Sequence, residues 1–159
     1  LTRVRQIAEN GFGRHVRLVE NYDPSLPEVL GDRDQLVQVF LNLVKNAVEA
    51  APANGGEVVL TTAFRPGVRF ALPGRGPREH LPLMVSVEDN GGGISEDIRA
   101  SMFDPFITTK PKGSGLGLAL VAKIIDDHGG TIEVDGGNRT VIRVMLPMLK
   151  SEAVPGENK

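Results

Sequence analysis

Two asparagines in "LNLVKNAVEA", Asn42 and Asn46, stand four residues apart and therefore share one face of any helix that contains them. Side-chain amide oxygens are hard, neutral ligands that suit Mg²⁺ beside phosphate. The same pair also reads as an ordinary polar edge, shared with Gln38, Lys45 and Glu49. A second group is "VEDNGGGI". If Val85 and Val87 face a core, strand alternation carries Asp89 into the same row. A carboxylate there is costly unless it finds a partner. Either the N–H groups of a tight turn or a ligand donor, such as the exocyclic amine of adenine, would serve. The glycines Gly91, Gly92 and Gly93 favour the ligand, because bare backbone leaves room for a flat ring.

The third group is "FDPFITTKPKGSGLGLAL", residues 103–120. Gly113, Gly115 and Gly117 open an apolar helix, and a glycine-rich helix N-terminus suits an anion. Thr108, Thr109, Lys110 and Lys112 add donors for phosphate oxygens. Phe103 and Phe106 are either core residues or the apolar pegs with which a glycine-rich lid docks. The run lacks the Gly-Lys-Ser/Thr ending of a Walker loop, and no strand leads into it as a dinucleotide turn requires. The histidines His15, His80 and His128 share no spacing with acids or with one another and read as bystanders. No Gly-x-Ser-x-Gly elbow occurs.

These groups need elements to hold them. The chain has 159 residues, 40% apolar and 24% charged, which fits one globular domain with a real core. A net charge of −2 gives no general pull toward nucleic acid or an anionic membrane. Without cysteine there are no disulfides and no thiolate metal sites. No apolar run reaches the ~18 residues of a membrane span. Leu1 stands where an initiator methionine would, as expected of a piece of a longer protein. Leu1, Val4, Ile7 and Ala8 fit the end of a helix, and "RHVRLVEN" a strand. Asp32 and Gln35 form a capping-box pair opening a helix to Ala51, with Leu36, Val37, Phe40, Leu43, Val44, Ala47 and Val48 as its core face. "EVVLTTAF" and "LMVSVED" are strands, separated at 65–82 by a proline- and glycine-rich connection or insertion. Ser95 caps a short helix, another runs over about 114–128, and "TIEVD" with "TVIRVMLP" makes a closing hairpin. The expected fold is a two-layer α/β sandwich of the α+β class, not a doubly wound sheet.

The ordered set (paired asparagines, Asp-x-Gly-x-Gly-Ile, a phenylalanine-rich loop, Gly-x-Gly-Leu-Gly-Leu) resembles the N, G1, F and G2 boxes of the ATP-binding domain of sensor histidine kinases. These belong to the GHKL ATPase superfamily, and the wording lies nearest their nitrogen-regulation members. The resemblance implies the Bergerat fold, a mixed and mostly antiparallel sheet covered on one face by helices. It implies ATP and Mg²⁺, with Asn46 on the metal and Asn42 and Lys45 as the catalytic pair near the phosphates. Asp89 would accept from the adenine amine, Gly91 and Gly93 would make space, Ile94 would line the ring site, and Thr140 would act through water. Phe106, Thr108, Thr109, Lys110, Gly113, Ser114, Gly115, Leu116, Gly117 and Leu118 would form or flank the lid. Arg139 in "DGGNRT" stands where the family often has glycine, which puts the far wall of the adenine site in question. The His-Glu phosphoacceptor motif is absent.

The domain would then span 14–147, after the end of an upstream helix at 1–13 and before a disordered tail at 148–159. The implied partners are the protein's own dimerisation and phosphoacceptor domain, a response regulator of the NtrC kind, and a PII signalling protein. Nucleic acid and membrane are not among them, and the location would be cytoplasmic. The rivals are a GHKL hydrolase, which places glutamate at position 42 to activate water, and a nucleotide-responsive binding module without catalysis.

Overall fold

The computed structural model describes residues 1–29, 31–67, 69–72, 74, 76, 79–104 and 117–148. Along the chain run α1 (Thr2–Asn10), β1 (Arg17–Asn21), α2 (Arg33–Ala50), β2 (Glu57–Phe64), β3 (Arg69–Phe70), β4 (Glu79–His80), β5 (Leu83–Asp89), α3 (Glu96–Ser101), α4 (Gly117–Asp127), β6 (Thr131–Asp135) and β7 (Thr140–Leu146). The main sheet has the order β1-β2-β5-β7-β6. Among the described residues only β1 and β2 pair in parallel; every other neighbour in this sheet is antiparallel. The α+β sandwich expected from the sequence is what forms. The first strand is shorter than "RHVRLVEN", because turns occupy the chain up to Arg14 and His15.

The helices α1, α2 and α4 pack together on one face of the sheet. There α2 buries Phe40, Leu43, Val44, Ala47 and Val48 against Val58, Leu60, Val87, Ile142 and Val144. It also buries Val39 completely, a residue outside the expected core stripe, while Leu36 and Val37 are only partly covered. The reason is position: α2 lies between α1 and α4 as well as on the sheet, so its apolar arc is wider than one stripe. An ion pair from Arg5 to Glu20 joins α1 to β1.

The start of α2 shows one departure from the capping box. The Asp32 carboxylate accepts from the Gln35 amide at 2.9 Å, as expected. The Asp32 amide, however, donates to Nε2 of His128 at 3.0 Å, while Nδ1 of His128 bonds the Ile124 carbonyl at 2.7 Å. His128 is thus a clasp between the end of α4 and the start of α2, and its neutral Nδ1–H tautomer satisfies both bonds. The connection at 65–82 is not featureless, since β3 and β4 pair within it. Leu81, Met84 and Met145 are buried together on the sheet face away from the helices, with Phe70 and Leu72 over them. The expected tail falls outside the described residues from 149 onward.

Candidate nucleotide site

Strand register places Asp89 where alternation put it. It ends β5 opposite Val58 of β2 and Thr140 of β7, in the row that faces the helices. Both polar side chains are buried, Asp89 at 4% exposure and Thr140 at 6%. One carboxylate oxygen, Oδ1, accepts from the Gly91 amide at 2.9 Å. Burial holds this carboxyl above the ordinary carboxylate range, against the opposite pull of the Gly91 amide and the Arg139 charge. One turn bond among the described residues is modest satisfaction for a buried carboxylate, which makes Asp89 a good acceptor for an incoming N–H.

The glycines after Asp89 earn their place by close backbone approach. A Cβ on Gly91 would stand 2.4 Å from the Ala50 carbonyl oxygen, at the end of α2, and 2.9 Å from Asp89 Oδ1. Gly93 has φ +78°, and its Cβ would meet the Gly137 carbonyl oxygen at 2.6 Å. Ile94 lies beside the same turn, because a Cβ on Gly136 would be 2.8 Å from its carbonyl oxygen. The β6–β7 turn therefore packs directly on the glycine turn. At Gly92 an added Cβ would meet nothing within 4 Å, so that residue is the open side. Asn90 fastens the other side: its Oδ1 accepts from the Glu57 amide at 2.8 Å and its Nδ2 donates to the Gly55 carbonyl at 2.9 Å. Sequence reading missed Asn90, although an Asn inside a strand-ending turn is a known bonding signal.

The asparagine face of α2 lies across from the start of α4. Asn42 Oδ1 is 3.5 Å from where a Cβ on Gly117 would sit, so the asparagine faces the first described turn of that helix. Asn42 and Asn46 are partly exposed and Lys45 is exposed, all within reach of solvent. Leu118 packs on the core. Phe106, Thr108, Thr109, Lys110, Gly113, Ser114, Gly115 and Leu116 lie outside the described residues. Phe103 is partly buried against the core. Among the described residues no group of three His, Cys, Asp or Glu side chains could hold a metal ion. The side-chain amide oxygens of Asn42 and Asn46 on α2 would suit a hard cation whose other ligands come from phosphate and water.

The family model for the histidine kinase-, DNA gyrase B- and HSP90-like ATPases matches residues 31–150. The chain belongs to that family, and its domain is of the ATP-binding kind. Among curated relatives it is similar to the sensory histidine kinase/phosphatase NtrB of Azospirillum brasilense, 59% identical over 158 residues, covering 99% of this chain and 40% of that protein. NtrB of Rhizobium leguminosarum bv. phaseoli is 56% identical over 156 residues, covering 97% of this chain and 41% of its own. The chain thus spans about two fifths of the length of these relatives. Among solved structures, the nucleotide-free catalytic domain of histidine kinase ThkA superposes with a TM-score of 0.70 at 29% identity, covering 92% of each chain. The full-length kinase ShkA in complex with AMPPNP gives 0.71 at 29% identity, covering 93% of this chain and 30% of that one.

Proposed function

We propose that this chain is the catalytic domain of an NtrB-like sensor histidine kinase, residues 14–147 forming the domain and 1–13 ending the helix that leads into it. It binds ATP and passes the γ-phosphoryl group to a histidine on a separate dimerisation domain, for relay to a response regulator in nitrogen regulation. The observation that carries this reading is the buried Asp89 carboxylate, bonded among the described residues through Oδ1 to the adjacent turn and lying opposite Thr140 in the sheet. Asp89 accepts from the exocyclic amine of adenine, with Thr140 supporting the ring through water and Gly91, Gly93 and Ile94 shaping the wall.

Toward the phosphates, Asn42 and Lys45 act as the catalytic pair on α2, and Thr109, Lys110 and the glycine run from Gly113 are the proposed donors to the phosphate oxygens. Asn46 would hold Mg²⁺, which would supply charge neutralisation beside the phosphates. The incoming imidazole nitrogen forms the new bond to phosphorus as the bond to the β-phosphate oxygen breaks, and ADP leaves. Positioning and charge neutralisation supply most of such a reaction, which suits a site without a strong base. An asparagine at position 42 is a poor base for water, so transfer is favoured over hydrolysis. The partners are the dimerisation domain, an NtrC-like response regulator and a PII protein. Among the described residues no helix is long and apolar enough to cross a membrane; the proposed location is the cytoplasm, without nucleic-acid contact.

Calorimetric titration with ATP and with GTP tests the adenine end. ATP should bind well and GTP poorly, since guanine presents a carbonyl oxygen to Asp89 where adenine presents an amine. Equal affinities would defeat the assignment.

A further inference from the structure

Arg139, in "DGGNRT", points its side chain away from the row that holds Asp89 and Thr140, toward Glu57 and Glu88. It immediately precedes Thr140, so alternation turns it to the sheet face away from the helices. Glu88, next to Asp89 in β5, is turned to that same face. There Arg139 Nη2 donates to Glu57 Oε1 at 3.0 Å, and Arg139 Nε lies 2.8 Å from Glu88 Oε1. The second contact is an ion pair without hydrogen-bond alignment, since Nε is buried and has no bonded partner. Glu57 begins β2, Glu88 lies one residue before the end of β5, and Arg139 precedes β7. One guanidinium therefore ties together the ends of three adjacent strands.

We infer that Arg139 is a positioning residue for adenine recognition, gripped by Glu57 and Glu88 so that Asp89 and Thr140 are held side by side on the opposite face. This inference rests on the reading of Asp89 as the adenine acceptor. The clamp acts in two ways. Mechanically, it fixes the strand ends where the glycine turn and the β6–β7 turn meet, at Gly93 and Gly137. Electrostatically, it sets a positive charge behind the buried carboxylate, which favours the ionised form that accepts from adenine. The charges acting on Asp89 come from the sheet: Arg139 favours ionisation and Glu88 opposes it. From α2 the contact at the turn is the uncharged Ala50 carbonyl, and the ionisable Lys45 and Glu49 on that helix are exposed. Arg is suited to the role because its planar fork reaches two carboxylates while keeping its charge at any working pH.

Glu88 and Arg139 give a test with opposite signs. ATP affinity is measured by calorimetry for wild type, Arg139→Gln, Arg139→Lys, Glu88→Gln and Asp89→Asn between about pH 5 and pH 8. Each variant is expressed as a ratio to wild type at the same pH, which cancels the titration of the nucleotide. Arg139→Gln should lose affinity increasingly toward acid, on the order of tenfold more at the acid end than at the alkaline end. Arg139→Lys should restore the shape of the profile while losing a few-fold uniformly, because the charge returns without the fork. Glu88→Gln should shift the acid limb the other way, holding affinity to lower pH than wild type. A loss in folded Arg139→Gln that is the same at every pH, or a Glu88→Gln limb that moves in the same direction as that of Arg139→Gln, would overturn the inference. If Arg139→Gln does not fold, the sign of the Glu88→Gln shift decides alone. Asp89→Asn separates the two levels: wild-type affinity in that variant defeats the reading of Asp89 itself, whereas a weak and pH-flat Asp89→Asn with unshifted clamp variants defeats only the role of Arg139.

Discussion

The two ends of the site are built on different physics. At the proposed adenine end the sheet does the positioning. Register places Asp89 beside Thr140, backbone packs on backbone at Gly91 and Gly93, and Asn90 fastens the turn to β2. At the phosphate end one face of α2 offers asparagines and a lysine to solvent, facing the start of α4 through Asn42 and Gly117. The first end is held by close contact; the second, on the proposed reading, would supply ligands whose geometry a bound phosphate and cation complete. Changes at the adenine end should therefore affect fold and affinity together, and changes on the α2 face should affect ligand response alone.

The largest effect is expected from Asp89→Asn. Removing a charged acceptor costs about 1.5–3 kcal/mol of binding, roughly ten- to a hundredfold in ATP affinity, read by calorimetry on the folded variant. Unchanged affinity would dissolve the contrast between the two ends. Gly91→Ala should cost about 1–3 kcal/mol of stability, because its Cβ would stand 2.4 Å from a backbone oxygen that has little freedom to move. Chemical unfolding measures it, and an unaffected midpoint would mean that the turn is looser than the contact implies. Asn46→Ala should leave the unfolding midpoint nearly alone and weaken ATP a few-fold only when Mg²⁺ is present, consistent with a partly exposed helix position. If EDTA lowers wild-type and variant affinity equally, Asn46 is not the metal ligand.

The smallest effect concerns stability without ligand. Burial raises the Asp89 carboxyl above its ordinary value, so the folded state holds that proton more tightly than the unfolded chain does. Its contribution to stability is present at low pH and is lost as pH rises through the folded value. Once ionised, Asp89 is thus a burden on the empty protein. Asp89→Asn should raise the neutral-pH melting temperature slightly and lose that advantage in acid. A variant less stable than wild type at neutral pH would show that the turn bond from Gly91 outweighs the cost of burial.

Much of this was legible in the sequence because local rules carried it. Alternation in "LMVSVED" was enough to turn Asp89 inward, and the Asp32 cap followed from its spacing to Gln35. What stayed hidden depended on distant partners. Val39 is buried because α2 has helices on both sides, which no single-helix pattern reports. The Asp32 amide is taken by His128, 96 residues away, and Arg139 finds Glu57 across 82 residues. The glycines were legible as a place of close approach, but not that Gly91 approaches α2 and Gly93 the β6–β7 turn.

The central claim is that this domain transfers phosphoryl to a histidine it does not contain. His128 follows α4, an eleven-residue helix that at ~1.5 Å per residue holds it roughly 16 Å from the turn facing Asn42. It is also engaged at both ring nitrogens. His80 accepts from the Gly67 amide at 3.2 Å, and His15 precedes the first strand. On the proposed reading none of them is the acceptor, because in-line attack demands near-contact geometry at the phosphate. The direct measurement is incubation with γ-labelled ATP, alone and with a separately produced helix hairpin carrying the phosphoacceptor histidine of an NtrB relative. The chain alone should stay unlabelled and release phosphate very slowly, while the hairpin becomes labelled at its histidine. Label on this chain alone, abolished by replacing one of its own histidines, would contradict the claim.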